Sequence, residues 1–113
     1  MNRKTNDNFV SGDPALPVHR RTDLCTGHGC WPPRPVVNQA DVGHSPDVYV
    51  NNLEQVRLTD LYQPHCCGSC HTGRVADGSE SVFTNNLKSA RQTDPITCGS
   101  RCDEHSPDVY HGD

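Results

Sequence analysis

Three residues of this chain stand at matching distances beyond a recurring Arg-x-Thr-Asp. His28 lies five residues after Asp23, His65 five after Asp60, and Cys98 four after Asp94. Imidazole and thiolate are the donors zinc prefers, and zinc gathers four of them in a tetrahedron. Equivalent places in repeated units converge when the units surround an axis, so three-fold repetition supplies three ligands. The fourth must come from outside the pattern. The stretch "CCGSCH" after Pro64-His65 offers Cys66, Cys67, Cys70 and His71. His71 is favoured, giving a centre of three histidines and one cysteine at His28, His65, His71 and Cys98. A rival stays open: Cys67-x-x-Cys70 and Cys98-x-x-x-Cys102 are spaced like the halves of a four-cysteine site. The donors suit iron as well as zinc.

A metal with four protein ligands has a closed shell and is structural, whereas catalysis needs an open position and a nearby base. Asp60 and Asp94 belong to the repeat, and neither Gly-x-Ser-x-Gly nor His-Glu-x-x-His occurs. The chain therefore reads as no enzyme, with no small-molecule substrate, and the metal as a staple for a thin core. The other candidates have plainer readings. His19 is a surface or packing residue, and His44 and His105 are loop residues, because the matching place in another unit is Gly78. His111 lies near the C-terminus. Cys25 and Cys30 read as packed thiols, Trp31 with Pro32 and Pro33 as a stacking piece, and the recurring Arg and Asp as structural pairs.

The elements that position these residues emerge from internal repetition. "HSPDVYVNNLEQVRLTD" (44–60) recurs as "GSESVFTNNLKSARQTD" (78–94), with Ser45, Val48, Asn51, Asn52, Leu53, Arg57, Thr59 and Asp60 reappearing 34 residues on. "HSPDVYHGD" at the C-terminus is the front half of a third copy, and "HRRTD" (19–23) is the back half of one. Joined, the two ends make a circularly permuted third unit. Each copy reads as a β-hairpin, with alternation about "DVYV" and an Asn-Asn turn, since Asn tolerates positive φ. No helical period is present. Val48, Tyr49, Val82, Phe83, Val109 and Tyr110 are expected to pack the hairpins, some of them at the base of the fold.

Composition sets the outer bounds. The chain has 113 residues, 32% hydrophobic, with seven Cys and seven His, so metal or crosslinks must supplement the core. Residues 1–17 match no repeat and are expected to form a flexible or loosely docked arm before a domain at 18–113. The net charge of −4, with scattered Lys and Arg, argues against nucleic acid. No apolar run approaches a membrane span, and the N-terminus lacks a signal-like apolar region. Folding in a reducing cytosol is expected, where clustered cysteines bind metal more often than they crosslink.

On these residues the chain resembles the PAAR-repeat family. "LKSARQTD" is similar to its Pro-Ala-Ala-Arg-x-Gly-Asp signature, and "LEQVRLTD" is a diverged copy. "CTGHGCWPPRP", "PHCCGSCH", "DPITCG" and the Ser-x-x-Val-[Tyr/Phe] strands resemble its phage tail-tip branch. Ser89 and Lys88 depart from the signature's first Ala and its Pro. Thr59 and Thr93 replace its Gly, and Asn-Asn replaces a frequent Asn-Gly, so the turns are expected to be less tight. The resemblance implies an all-β, small conical domain of three pseudo-three-fold β-hairpin repeats with a metal near the apex, held by His28, His65, His71 and Cys98. It implies a structural tip that caps a trimeric β-helical spike of a contractile phage tail, assembled in the bacterial host cytoplasm and carried in the virion baseplate. The alternatives are the tip of a type VI secretion needle, a zinc-binding interaction module, or a zinc-dependent hydrolase. A chain without an extra domain leans toward the phage-type particle.

Overall fold

The computed structural model describes residues 13–112. Their strands are short, as a chain punctuated by nine Gly and nine Pro dictates. They are β1 (Leu16–Pro17), β2 (Tyr49–Val50), β3 (Leu53–Glu54), β4 (His65–Cys67), β5 (Ser69–His71), β6 (Phe83–Thr84), β7 (Leu87–Lys88) and β8 (Tyr110–His111). They pair antiparallel as β2–β3, β4–β5, β6–β7 and β1–β8. The all-β expectation of three related hairpins holds, and the β1–β8 pair is the permuted third hairpin. Its back strand begins earlier than "HRRTD": Leu16 takes the place of Leu53 and Leu87, four residues before the repeated arginine.

Each hairpin is entered through the same buried serine. The Oγ atoms of Ser45, Ser79 and Ser106 accept hydrogen bonds from the amides of Val48, Val82 and Val109, each at 2.9 Å. These local bonds satisfy the backbone where the chain bends into the strand. The Asn51-Asn52 and Asn85-Asn86 turns have φ of 54° and 66° in both cases. They are two-residue turns of the primed kind. The expected loosening is therefore absent, because Asn reaches the left-handed region almost as Gly does.

The three units close on one another at the axis. The amide of His19 donates to the carbonyl of Ala90 at 3.1 Å, that of Ala90 to Val56 at 2.9 Å, and that of Val56 to His19 at 3.2 Å. This ring leaves no unpaired edge between the units. The Gln55 amide sits fully buried beside it and donates from Nε2 to the carbonyls of Val56 at 2.8 Å, His19 at 3.2 Å and Ala90 at 3.3 Å.

Next along each unit comes the Arg-x-Thr-Asp turn. The amides of Asp23, Asp60 and Asp94 donate to the carbonyls of Arg20, Arg57 and Arg91. The third residue of each turn has positive φ: Thr22 at 81°, Thr59 at 75° and Thr93 at 74°. This geometry ordinarily selects Gly or Asn. Each arginine forks onto its own aspartate, as in Arg57 Nε to Asp60 Oδ2 at 3.0 Å and Nη2 to Oδ1 at 2.8 Å. Each also reaches forward to the next hairpin. Arg20 Nη1 donates to Asn51 Oδ1 and Arg57 Nη1 to Asn85 Oδ1, both at 3.1 Å. Arg91 finds no turn there, because the third hairpin is open, and Asp13 Oδ1 accepts in its place at 2.7 Å.

Asp13 is buried, and its Oδ2 also accepts from the hydroxyls of Ser79 and Ser81. Burial alone would raise its pKa, but these hydrogen bonds and Arg91 hold it well below the usual carboxylate range. The 1–17 arm expectation thus ends at Asp13, since residues 13–17 are integral to the domain. Residues 1–12 lie outside the described residues.

Beyond the turns the core is a small prism. Cys25, Tyr62 and Ile96 occupy one repeat position, two residues after each aspartate, and Val36, Val75 and Cys102 pack on them with Val56 and Ala90. His19 completes the Val56 and Ala90 level. It is fully buried, with Nδ1 at 2.7 Å from the Glu104 carbonyl and Nε2 at 2.6 Å from the Tyr62 hydroxyl. The hairpin aromatics are not core. Tyr49, Phe83 and Tyr110 are 58%, 56% and 55% exposed, which corrects the expectation that they pack the hairpins.

Candidate metal centre

Past the prism each unit makes a returning loop. In the first, His28 and Trp31 exchange backbone hydrogen bonds across Gly29-Cys30. In the second, β4 and β5 pair His65 with His71, Cys66 with Cys70 and Cys67 with Ser69, and Gly68 turns between them at φ 76°. In the third, the amide of Ile96 donates to Ser100 and that of Gly99 to Ile96, so Cys98 sits in a tight turn. Side chains directly opposite in an antiparallel pair share a face. His65 and His71 therefore project together toward His28.

The donor atoms of His28, His65, His71 and Cys98 all lie within 4.8 Å of one another. His71 Nε2 is 2.9 Å from His28 Nε2 and 2.8 Å from His65 Nε2. Three imidazole nitrogens facing each other at such distances share too few protons to satisfy all their lone pairs, and one cation satisfies them together. His65 donates from Nδ1 to the Pro32 carbonyl at 2.8 Å, which leaves Nε2 unprotonated and able to bind a metal. Partial desolvation, followed by the neighbouring His65 and His28, lowers the pKa of His71 and favours the neutral ring a ligand needs. Gly73 leaves room for the thiol, since a Cβ there would lie 3.0 Å from Cys98 Sγ. Trp31 walls the cluster, stacking on His28 at a centroid distance of 5.1 Å. Three imidazoles and a thiol with one oriented tautomer fit a tetrahedral ion.

The four-cysteine rival is excluded by the same loops. Cys67 is bonded to Cys30, and Cys66 to Cys70, as disulfides. This also corrects the expectations that the clustered cysteines bind metal rather than crosslink and that Cys30 is a packed thiol. Cys30 in particular is a crosslink, because it shares the apical face with Cys67. Cys102 is buried against Tyr62, and burial pushes its thiol pKa up to about 12, so it stays protonated. Cys25 is a buried free thiol as expected. His44 and His105 bond to the carbonyls of Ser45 and Ser106, their own next residues, and lie outside the cluster. His111 lies in β8 at the opposite end. The features unread from sequence are the Pro32 carbonyl and Gly73. Gly73 had a signal of its own, a glycine two residues past the candidate ligand His71.

Among the described residues, no helix is long and apolar enough to cross a membrane. Residues 26–102 match the family described as PAAR motif. A segment of 69 residues, 60% of the chain, is 41% identical to the double-stranded DNA deaminase toxin A of Burkholderia cenocepacia (strain H111). The chain spans 5% of that protein's length.

Proposed function

The chain belongs to the PAAR-motif family, and from that membership we propose that it is the structural tip of a contractile injection particle. In this reading it caps a trimeric β-helical spike of a phage-type tail, sits in the virion baseplate, and sharpens the spike for piercing a cell envelope. One observation carries the reading: Tyr49, Phe83 and Tyr110 stand at the same place in three hairpins with nearly the same exposure. Large aromatics left this exposed in a chain with so few of them mark a binding surface. Three equal anchors about one axis fit a partner with true three-fold symmetry. Each hairpin edge offers backbone groups that continue one strand ladder of the spike.

The metal reading follows from the same geometry. His28, His65, His71 and Cys98 come from all three apical loops, so one ion would tie together the segments that have least core beneath them. Zinc fits the donors, and a closed four-ligand shell supplies structure rather than catalysis. The particle's contraction would drive the tip forward, and a tied apex resists fraying under that load. A second reading, the tip of a type VI secretion needle, is favoured by the match to a segment of a large toxin. That protein's deaminase name is its own, and a tip role needs no enzyme activity.

The test is co-expression with the particle's spike protein, followed by light scattering on the purified complex. One copy of this chain per spike trimer is expected. The combined Tyr49→Asp, Phe83→Asp and Tyr110→Asp variant should keep its melting transition and lose the complex. A variant that still caps the trimer, or one copy per spike chain, would overturn the reading.

A further inference from the structure

The two disulfides and the metal ligands occupy the same short pieces of chain. Cys66–Cys70 lies one rung from the His65–His71 pair of β4–β5, on the opposite face of the ribbon. Cys30–Cys67 joins the loop of His28 to β4, with each cysteine two residues from its ligand. Three of the four ligands are therefore carried on covalently joined backbone, while Cys98 arrives from the third unit. At the base of β4–β5 the Tyr62 amide donates to the Gly73 carbonyl and Leu61 bridges to Arg74. Beyond that base the ribbon projects as three rungs, held to the first loop by His65 Nδ1 on the Pro32 carbonyl and Trp31 Nε1 on the Ser69 carbonyl. A two-stranded ribbon this short is loosely held in water without the two disulfides. Its two histidines would then have to be ordered by the metal itself.

We propose that metal retention at the apex is redox-linked: oxidation of Cys66 with Cys70 and of Cys30 with Cys67 preorganises the centre and slows release of its ion. This rests on the reading of His28, His65, His71 and Cys98 as the metal ligands. For each bond, two thiols give up two protons and two electrons to a disulfide acceptor such as glutathione disulfide, which leaves as two glutathione thiols. The coupling is reciprocal, so the ion must also protect the disulfides against reduction. A tip made with its thiols reduced would exchange metal readily, and one that has met an oxidising compartment would hold it.

The experiment uses the full chain loaded with zinc, equilibrated in oxidised or reduced glutathione buffer and mixed with a colorimetric zinc chelator. Zinc affinity, read from the competition with the chelator, is expected to be about tenfold higher in the oxidised protein, the lower end of what misoriented ligands cost, and release correspondingly slower. The variant Cys30→Ser, Cys66→Ser, Cys67→Ser and Cys70→Ser should release zinc at the reduced wild-type rate in both buffers. In the reciprocal measurement, zinc should lower the midpoint potentials of the two cysteine pairs by about 30 mV in total, because one tenfold difference in affinity is shared between two two-electron couples. A merely structural disulfide would leave its midpoint unmoved by zinc. Equal release rates in the two redox states overturn the coupling alone. Reduced wild type holding zinc more tightly than the serine variant also overturns it, since the thiols would then be ligands. Absence of zinc binding in both states overturns the metal centre and the coupling with it.

Discussion

Replacing Thr22, Thr59 and Thr93 with glycine is expected to stabilise the protein, against the usual effect of glycine. All three hold positive φ, between 74° and 81°, and all three side chains are exposed. A left-handed conformation costs an L-residue about 1–2 kcal/mol, and β-branched side chains are the least suited to it. Glycine removes that strain but adds about 0.5–1 kcal/mol of unfolded-state entropy. The net gain is then about 0.5–1 kcal/mol per site, and the well-separated turns should add to roughly 1.5–3 kcal/mol. For a domain of this size that raises the melting temperature by roughly 6–15 °C. The assay is thermal and urea unfolding of the single and triple variants at fixed zinc and fixed redox state. Alanine at the same sites is the control, because it keeps the backbone strain and should stabilise little. Glycine variants that melt below the wild type, or alanine variants that match them, would refute the turn geometry.

Asp13→Ala removes the acceptor that substitutes for an asparagine turn and should cost about 2 kcal/mol in urea unfolding, as loss of a charged hydrogen bond does; Asp13→Asn, which restores what Asn51 and Asn85 offer, should cost less. Because the folded pKa of Asp13 is depressed, its contribution is present above the ordinary value of 3.8 and is lost as pH falls below it. His19 is fully buried, and burial lowers its pKa from 6.5. The unfolded chain therefore binds the extra proton, so stability should fall as pH drops below 6.5, by up to about 1.4 kcal/mol per pH unit. His19→Gln should flatten that part of the stability profile. Gly73→Ala places a Cβ against Cys98 and should speed zinc loss to a chelator by about tenfold or more without removing a ligand.

The recurring Arg-x-Thr-Asp was register enough to bring His28, His65 and Cys98 to one point, because side chains at equivalent places around an axis must converge. His71 was favoured among the four donors of "CCGSCH" without a positional reason, and the β4–β5 pairing supplies one by setting it on the same face as His65. Less legible was everything that breaks the symmetry. Leu16 begins the third back strand, but only a single leucine four residues before Arg20 signalled it. Asp13 replaces a turn residue, and its partner Ser81 stands where the other units have Asp47 and Asp108, a donor-for-acceptor exchange visible only once the pairs are known. The disulfides were masked by the expectation of a reducing compartment. "CCGSC" nonetheless pairs Cys66 with Cys70 as soon as Gly68 is placed in the turn. The aromatics were misassigned because alternation in a strand says that one face differs from the other, and not which face meets the core.

The most direct measurement is the metal content of freshly purified protein by elemental analysis, with Cys98→Ser and His65→Ala beside the wild type. The account predicts about one zinc per chain, the stoichiometry of a single tetrahedral site, lost in both variants together with thermal stability. Zinc retained in both variants, or no metal in the wild type, would contradict a centre built by His28, His65, His71 and Cys98.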